Sequence, residues 1–568
     1  MPIKEMIIAR GDQKAALVLK NCQVVNVLNG QIEIGDIAIE KGRIVGVGEY
    51  EGHKEIDLHN KYVCPGFIDG HVHIESSMLT PSQFSRLVMP KGTTSIIADP
   101  HEIANVCGLD GIEYMLKASE MVPLDIYIML PSCVPSTEFE VAGAILLAED
   151  LKKLKDHPRV IGLGEMMNYP GVIAGNAMVH EKIDMMSDRL IDGHAPEVTG
   201  KALNAYISAG VKTDHECTTK EEMLEKVGKG MYVHLREGSA TRNLDALLKG
   251  VTPNNSRRLM FCTDDKQPID IMNEGHIDHN VRRAIELGLS PITAIQMATL
   301  NVAECYSLKG KGAIAPGYEA DLLILDNLEK VIVSQVYKKG VLVASDQKPL
   351  FEAPQIKDES VLGTVKLENT QAINLDLKIA TGIAKVIGLK ERSIITDLVV
   401  RKVDTKEDLF IHNPKLDLLK LAVIERHKNT GNVGIGLVEG YGLKHGAVGL
   451  TIAHDSHNVI VIGDNDADMR LAIEELKRCD GGMTICKDGV VIETLRLEVG
   501  GLMTNAPLEE VIAKIKIMDR LALDSGVSTK IEPFLTLAFL ALPVIPELKL
   551  TDQGLFDVTQ FAFVGIDV

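Results

Sequence analysis

No CxxC pair occurs in this chain of 568 residues, and its nine cysteines (Cys22, Cys64, Cys107, Cys133, Cys217, Cys262, Cys305, Cys479 and Cys486) are scattered and odd in number. That pattern argues against a Cys-rich zinc site and a disulfide framework, and a reducing cytoplasmic location is expected. Positive charge is also scarce. Sixty Lys and Arg face 79 Asp and Glu, a net charge of −19, and no basic stretch is dense enough to recruit nucleic acid or an anionic membrane. The opening Met1-Pro2-Ile3-Lys4-Glu5 lacks the apolar core of a secretory signal. The longest late apolar run, Phe534 to Ile545, is about a dozen residues, contains Pro543 and is too short to span a bilayer. Internal repeats and low-complexity tracts are lacking too. These absences leave a soluble globular protein whose 45% apolar content is enough for several cores.

What is present starts with Pro65-Gly66-Phe67-Ile68-Asp69-Gly70-His71-Val72-His73. Side chains alternate along a strand, so His71 and His73 share a face, and two imidazoles at a strand end make half of a divalent-metal site. Around this motif the texture changes twice. Residues 1–64 hold short β-runs with turns at Asn29-Gly30 and Lys41-Gly42, and Ala16–Leu19 and Asn21–Val25 read as separate strands. Residues 65–308 alternate near-continuous apolar strands with helical patterns, as expected of a parallel sheet covered on both faces. Their length suits a (β/α)8 barrel. Residues 309–350 return to β-texture and are expected to pair with the N-terminal strands. Residues 360–568 are long enough for a further α+β domain, with a helix expected over Asp466 to Arg478. The fold class is therefore α/β: a (β/α)8 barrel, a small β-domain built from both flanks, and a C-terminal α+β domain.

In such barrels chemistry gathers at the C-terminal ends of the strands. His71 and His73, Glu165, His194, His215 and Asp264 all fall at such ends. Four histidines and two carboxylates suit Mn, Fe or Zn, and six ligands are more than one catalytic ion needs. Two divalent ions bridged by Glu165 would use all six. Each residue taken singly has a plainer reading: Glu165 as a partner of Arg159, His194 as a cap or core histidine, Asp264 as an N-cap.

The combination resembles the amidohydrolase superfamily and, within it, the adenine deaminases of bacteria and archaea. The residues that carry the resemblance are His71-Val-His73-Ile-Glu75-Ser-Ser77, Ala98-Asp99-Pro-His101-Glu102-Ile-Ala-Asn105, Asp192-Gly-His194-Ala-Pro196, Thr213-Asp-His215-Glu216, Cys262-Thr-Asp264-Asp265 and His454-Asp-Ser-His457-Asn458. No lysine stands within Val160 to Asn168, which disfavours the relatives whose metals are bridged by a carboxylated lysine. The resemblance implies metal-dependent hydrolysis of adenine to hypoxanthine and ammonia, in purine salvage. Asp264 is then expected to relay the proton of the attacking water. Glu237, Glu75, Glu102 and Glu216 compete for the proton delivered to ring N1. Asp99, His101, Arg236, Asp265, Glu216, His454 and His457 are the expected substrate contacts. His454 and His457 read either as residues closing over the barrel mouth or as part of a polar turn. A purine base is the expected partner, with no nucleic acid or membrane, and a homo-oligomer (dimer or higher) is expected. Alternatives are an amidohydrolase acting on a cyclic amide or another aminated heterocycle, or a catalytically silent scaffold.

Overall fold

The computed structural model describes residues 3–568. Eight parallel strands form its central unit: Phe67–Val72, Thr93–Ala98, Asp125–Leu130, Val160–Met166, Leu190–Gly193, Thr213–Asp214, Tyr232–Arg236 and Leu259–Cys262. The first five form one hydrogen-bonded sheet in chain order and the last three another. Both seams between the two sheets are bridged. Asp264 N–H donates to the His71 carbonyl at 2.9 Å, and Lys212 N–H donates to the Ile191 carbonyl at 3.0 Å, so the strands close into a barrel. Every residue of Phe67–Val72 and of Thr93–Ala98 is buried, as a strand covered on both faces requires.

One glycine sets the geometry of the fourth strand. A Cβ at Gly164 would collide with the Asp99 carboxylate. Its absence lets Asp99 press against the strand and accept the Glu165 N–H at 2.8 Å.

The flanks of the barrel meet in one nine-stranded sheet. Tyr62–Pro65, just before the barrel, pairs antiparallel with Leu322–Asn327, just after it, in the register Leu322 to Pro65 and Leu325 to Tyr62. The two runs Ala16–Leu19 and Asn21–Val25 are one strand, Ala15–Asn26. The break read between them is a register shift between Leu19 and Cys22, where Asn21 takes a left-handed φ of 55°. A bulge absorbs the irregularity without ending the pairing. The Lys41-Gly42 turn has left-handed φ at both residues (49° and 76°), the conformation of a tight hairpin turn.

The last part of the chain builds an eight-stranded sheet from Ile383 to Arg496, and helix Asp466–Arg478 packs against its strands. Asn465 caps that helix by accepting the Asp468 N–H at 2.8 Å, and Lys477 and Arg478 lie in its last turn. A small sheet, Leu548–Thr551, Gly554–Asp557 and Ala562–Phe563, completes the domain. The largest apolar core runs without a break from barrel residues such as Ile103 and Val106 to C-terminal ones such as Leu450 and Leu502. Among the described residues no helix is long and apolar enough to cross a membrane.

Candidate active site

At the C-terminal mouth of the barrel the structure brings His71, His73, Glu165, His194, His215 and Asp264 together. Glu165 stands at the centre, and its two oxygens face different histidines. Oε1 lies 3.2 Å from His73 Nε2 and 3.8 Å from His71 Nε2. Oε2 lies 2.5 Å from His194 Nδ1 and 3.3 Å from His215 Nε2. Asp264 Oδ1 is 3.3 Å from both His71 Nε2 and His73 Nε2 and 4.0 Å from His215 Nε2. All six are buried except His194, whose side chain is 20% exposed at the rim.

The histidines are oriented from behind. His73 Nδ1 lies 2.9 Å from the Asp99 carbonyl, which fixes the proton on that nitrogen and leaves the Nε2 lone pair facing inward. His71 Nδ1 faces Asp192 Oδ2 at 3.4 Å. Asp192 in turn accepts from Thr213 Oγ1 and from the Tyr306 hydroxyl, the latter at 3.2 Å. Beneath them His234 is buried 3.3 Å from the Tyr306 hydroxyl, and burial lowers its pKa to about 4, so it stays neutral. Asp192 and Tyr306 are missing from the residues expected of the site. Asp192 had a signal, because Asp192-Gly193-His194 repeats the i, i+2 spacing of the His71–His73 pair.

Arg236 ties together the acidic side of the cluster. Its guanidinium forks onto Glu216 and donates to Asp264 Oδ2 at 2.9 Å. Burial opposes ionisation of Glu216, but Arg236 prevails and holds its carboxyl down to about 2. Burial likewise opposes charge on Asp264 and Glu165. Arg236 with the neighbouring histidines, and His194 with His215 and His73, respectively keep these two well below the ordinary carboxylate range. Glu216 Oε1 stands 3.4 Å from His215 Nε2.

The other expected residues divide. His101 is at the site, its Nδ1 3.4 Å from Glu165 Oε1 and its Nε2 3.8 Å from Asp455 Oδ1 of the C-terminal domain. Asp99 gives one oxygen to the Glu165 amide, and its other oxygen has no hydrogen-bond partner. Asp265 receives the Ser76 hydroxyl at 2.5 Å, and the same hydroxyl lies 2.8 Å from Glu102 Oε1. Glu75 is buried beside His73, with Oε1 accepting the Ile103 N–H at 3.3 Å and Oε2 unpartnered. Glu102 is buried and turned toward His454 and His457, 4.0 and 3.8 Å away. Glu237 is not brought to the cluster. Its carboxylate faces Arg242 at 3.8 Å and His279 at 3.6 Å. The cause is alternation: Arg236 points inward, so its neighbour points away. A narrow cleft opens between the barrel mouth (Ser76, Asp265, Gln267) and the C-terminal domain (His454, Met483, Phe534).

The donor set fits divalent metal. The inward lone pair of His73 Nε2 and carboxylate oxygens at 3.2 and 3.3 Å all point at one another, an arrangement that a shared cation relieves. Both ring nitrogens of His215 are buried without a hydrogen-bond partner.

Comparison with known proteins agrees over the full length. The amidohydrolase family model matches residues 62–343, and the model of the adenine deaminase C-terminal domain matches residues 393–562. The chain is 52% identical to an adenine deaminase of Clostridium acetobutylicum, over 98% of both chains. It is 50% identical to an adenine deaminase of Nitratidesulfovibrio vulgaris, over 99% of this chain and 98% of the relative. It is 48% identical to adenine deaminase 2 of Carboxydothermus hydrogenoformans, over all of both chains.

Proposed function

Because the chain belongs to the adenine deaminase family of amidohydrolases, we propose that the cluster at its barrel mouth carries out the hydrolytic deamination of adenine, giving hypoxanthine and ammonia. The observation that carries this reading is the division of labour at Glu165, one oxygen toward His71 and His73 and the other toward His194 and His215. Those five residues, with Asp264, are the ligands of two divalent ions, for which Mn, Fe and Zn all suit imidazole and carboxylate donors. Bound there, the ions would acidify water and polarise it for attack at neutral pH.

The protein's own part is proton handling and placement. Asp264 accepts the proton of the attacking water and hands it to the departing amine, so that a C6–O bond forms, the C6–N bond breaks and ammonia leaves. Arg236, holding the other oxygen of Asp264, keeps that carboxylate aimed and ionised. Glu216 is committed to Arg236 and ionised, so it has no proton to give. Glu75, whose Oε2 is unpartnered beside His73, delivers a proton to ring N1 and regains one from the C6 hydroxyl as that group becomes the carbonyl of hypoxanthine. The cavity roofed by Phe534 and its neighbours offers an apolar face to a planar base.

Ammonia release from adenine, compared with adenosine, guanine, cytosine and hydantoins, tests the substrate. Adenine is expected to lead by orders of magnitude, and a preference for a cyclic amide refutes the assignment. Asp264→Asn is expected to lower kcat by roughly 10²–10⁴-fold with the fold intact. Glu165→Gln is expected to lose metal and turnover together. Full metal content with normal turnover in Glu165→Gln removes the bridging role.

A further inference from the structure

Glu102, His454 and His457 form a second cluster that the barrel-mouth chemistry does not use. Glu102 comes from the short helix His101–Cys107 of the barrel, and both histidines come from one loop of the C-terminal domain. Their donor atoms lie within 4.8 Å of one another. His457 Nε2 is 3.8 Å from Glu102 Oε2, and His454 Nδ1 is 4.0 Å from Glu102 Oε1. Glu102 Oε2 and both ring nitrogens of His457 are buried with no hydrogen-bond partner. Glu102 Oε1 already takes the Ser76 hydroxyl, but Glu102 Oε2 and the His457 ring converge without a protein partner, the arrangement a cation completes, and zinc held by ligands at about 2.0–2.2 Å separates neighbouring donors by a similar span. The loop is also fixed before any ligand arrives. His427 Nε2 lies 2.7 Å from the Ser456 carbonyl, the Arg426 guanidinium donates to the His457 carbonyl, and Asn458 Nδ2 donates to the Val141 carbonyl at 3.0 Å. The ring of His454 is stacked on Phe539, with centroids 4.4 Å apart.

We propose that Glu102, His454 and His457 bind a further divalent transition ion of the zinc type, separate from the barrel-mouth pair, that fastens the C-terminal domain to the barrel. Its open side, next to the cavity at His454, is left to water. Glu102 thereby serves as a ligand and not as the donor to the purine ring.

The test counts metal. Full-length protein stripped by chelator is reloaded with Zn²⁺, freed of excess and measured by elemental analysis. A third equivalent per chain is expected in the wild type, one equivalent fewer in His457→Gln and in Glu102→Gln, and retention of the interface equivalent in Glu165→Gln. Wild-type protein that saturates at two equivalents overturns the proposal. So do His457→Gln and Glu102→Gln proteins that hold as much zinc as the wild type, whatever their KM for adenine. Since Glu165→Gln tests the barrel-mouth ions alone, failure of that reading and failure of this one give different counts. Thermal melting adds a readout independent of turnover: Zn²⁺ is expected to raise the Tm of Glu165→Gln and to leave that of a Glu165→Gln/His457→Gln double variant unchanged.

Discussion

Asp192 is where the chemistry of single residues is most open to test. Its carboxylate stands behind His71 and is itself held by Thr213 and Tyr306. Groups in that position orient a ligand and raise its basicity, and their loss typically costs 10–100-fold in metal affinity. Asp192→Asn is therefore expected to weaken zinc retention by about that factor in chelator competition, while Asp264 and Glu165 stay in place. The six proposed ligands were legible because each ends a strand, a property written in local apolar runs. Asp192 was half legible, through its i, i+2 relation to His194, but its target lies on the first strand, and no local pattern names a partner 121 residues away (192 − 71). Glu237 was misread for the opposite reason. It follows an apolar strand, as a site residue should, but alternation with the inward Arg236 turns it to Arg242 and His279.

At the level of elements, the fourth barrel strand shows how backbone shape serves the site. Gly164 leaves room for the Asp99 carboxylate, which accepts the Glu165 amide and so fixes the strand end from which the central carboxylate projects. Gly164→Ala is expected to destabilise the fold by about 1–3 kcal/mol through overpacking, as measured by urea denaturation. It is also expected to depress metal content by displacing Glu165. A value near zero in both would show that Asp99 moves aside freely. Helix Asp466–Arg478 was readable because burial imposes periodicity, whereas the longer helix Leu508–Asp524 was not read from the sequence. What was not readable was continuity. The long N-terminal strand bends at Asn21 and keeps its partner, since a bulge is a property of the pair and leaves only a polar residue in the sequence.

For the whole molecule, the decisive contacts join parts far apart in sequence. The flanking sheet pairs Tyr62–Pro65 with Leu322–Asn327, and the apolar core passes from barrel to C-terminal domain without interruption. A shared core makes for shared stability, so thermal unfolding is expected to proceed as one cooperative transition seen alike by calorimetry and circular dichroism. Two separated transitions would mean that the domains unfold independently. The architecture could be anticipated from texture, but the docking of the C-terminal domain could not, because it rests on the fit of surfaces such as Gly500 beside Ile103 and Asp455 beside His101. That docking also fixes when the catalyst comes into being. The roof of the cavity includes Phe534, Leu535 and Ala538, near the end of the chain. The barrel strands, which end at Cys262, leave the ribosome well before this roof is made. The proposed purine site is finished only once those last segments have left the exit tunnel, so a truncated product lacking them is expected to keep the proposed metal ligands and lose turnover.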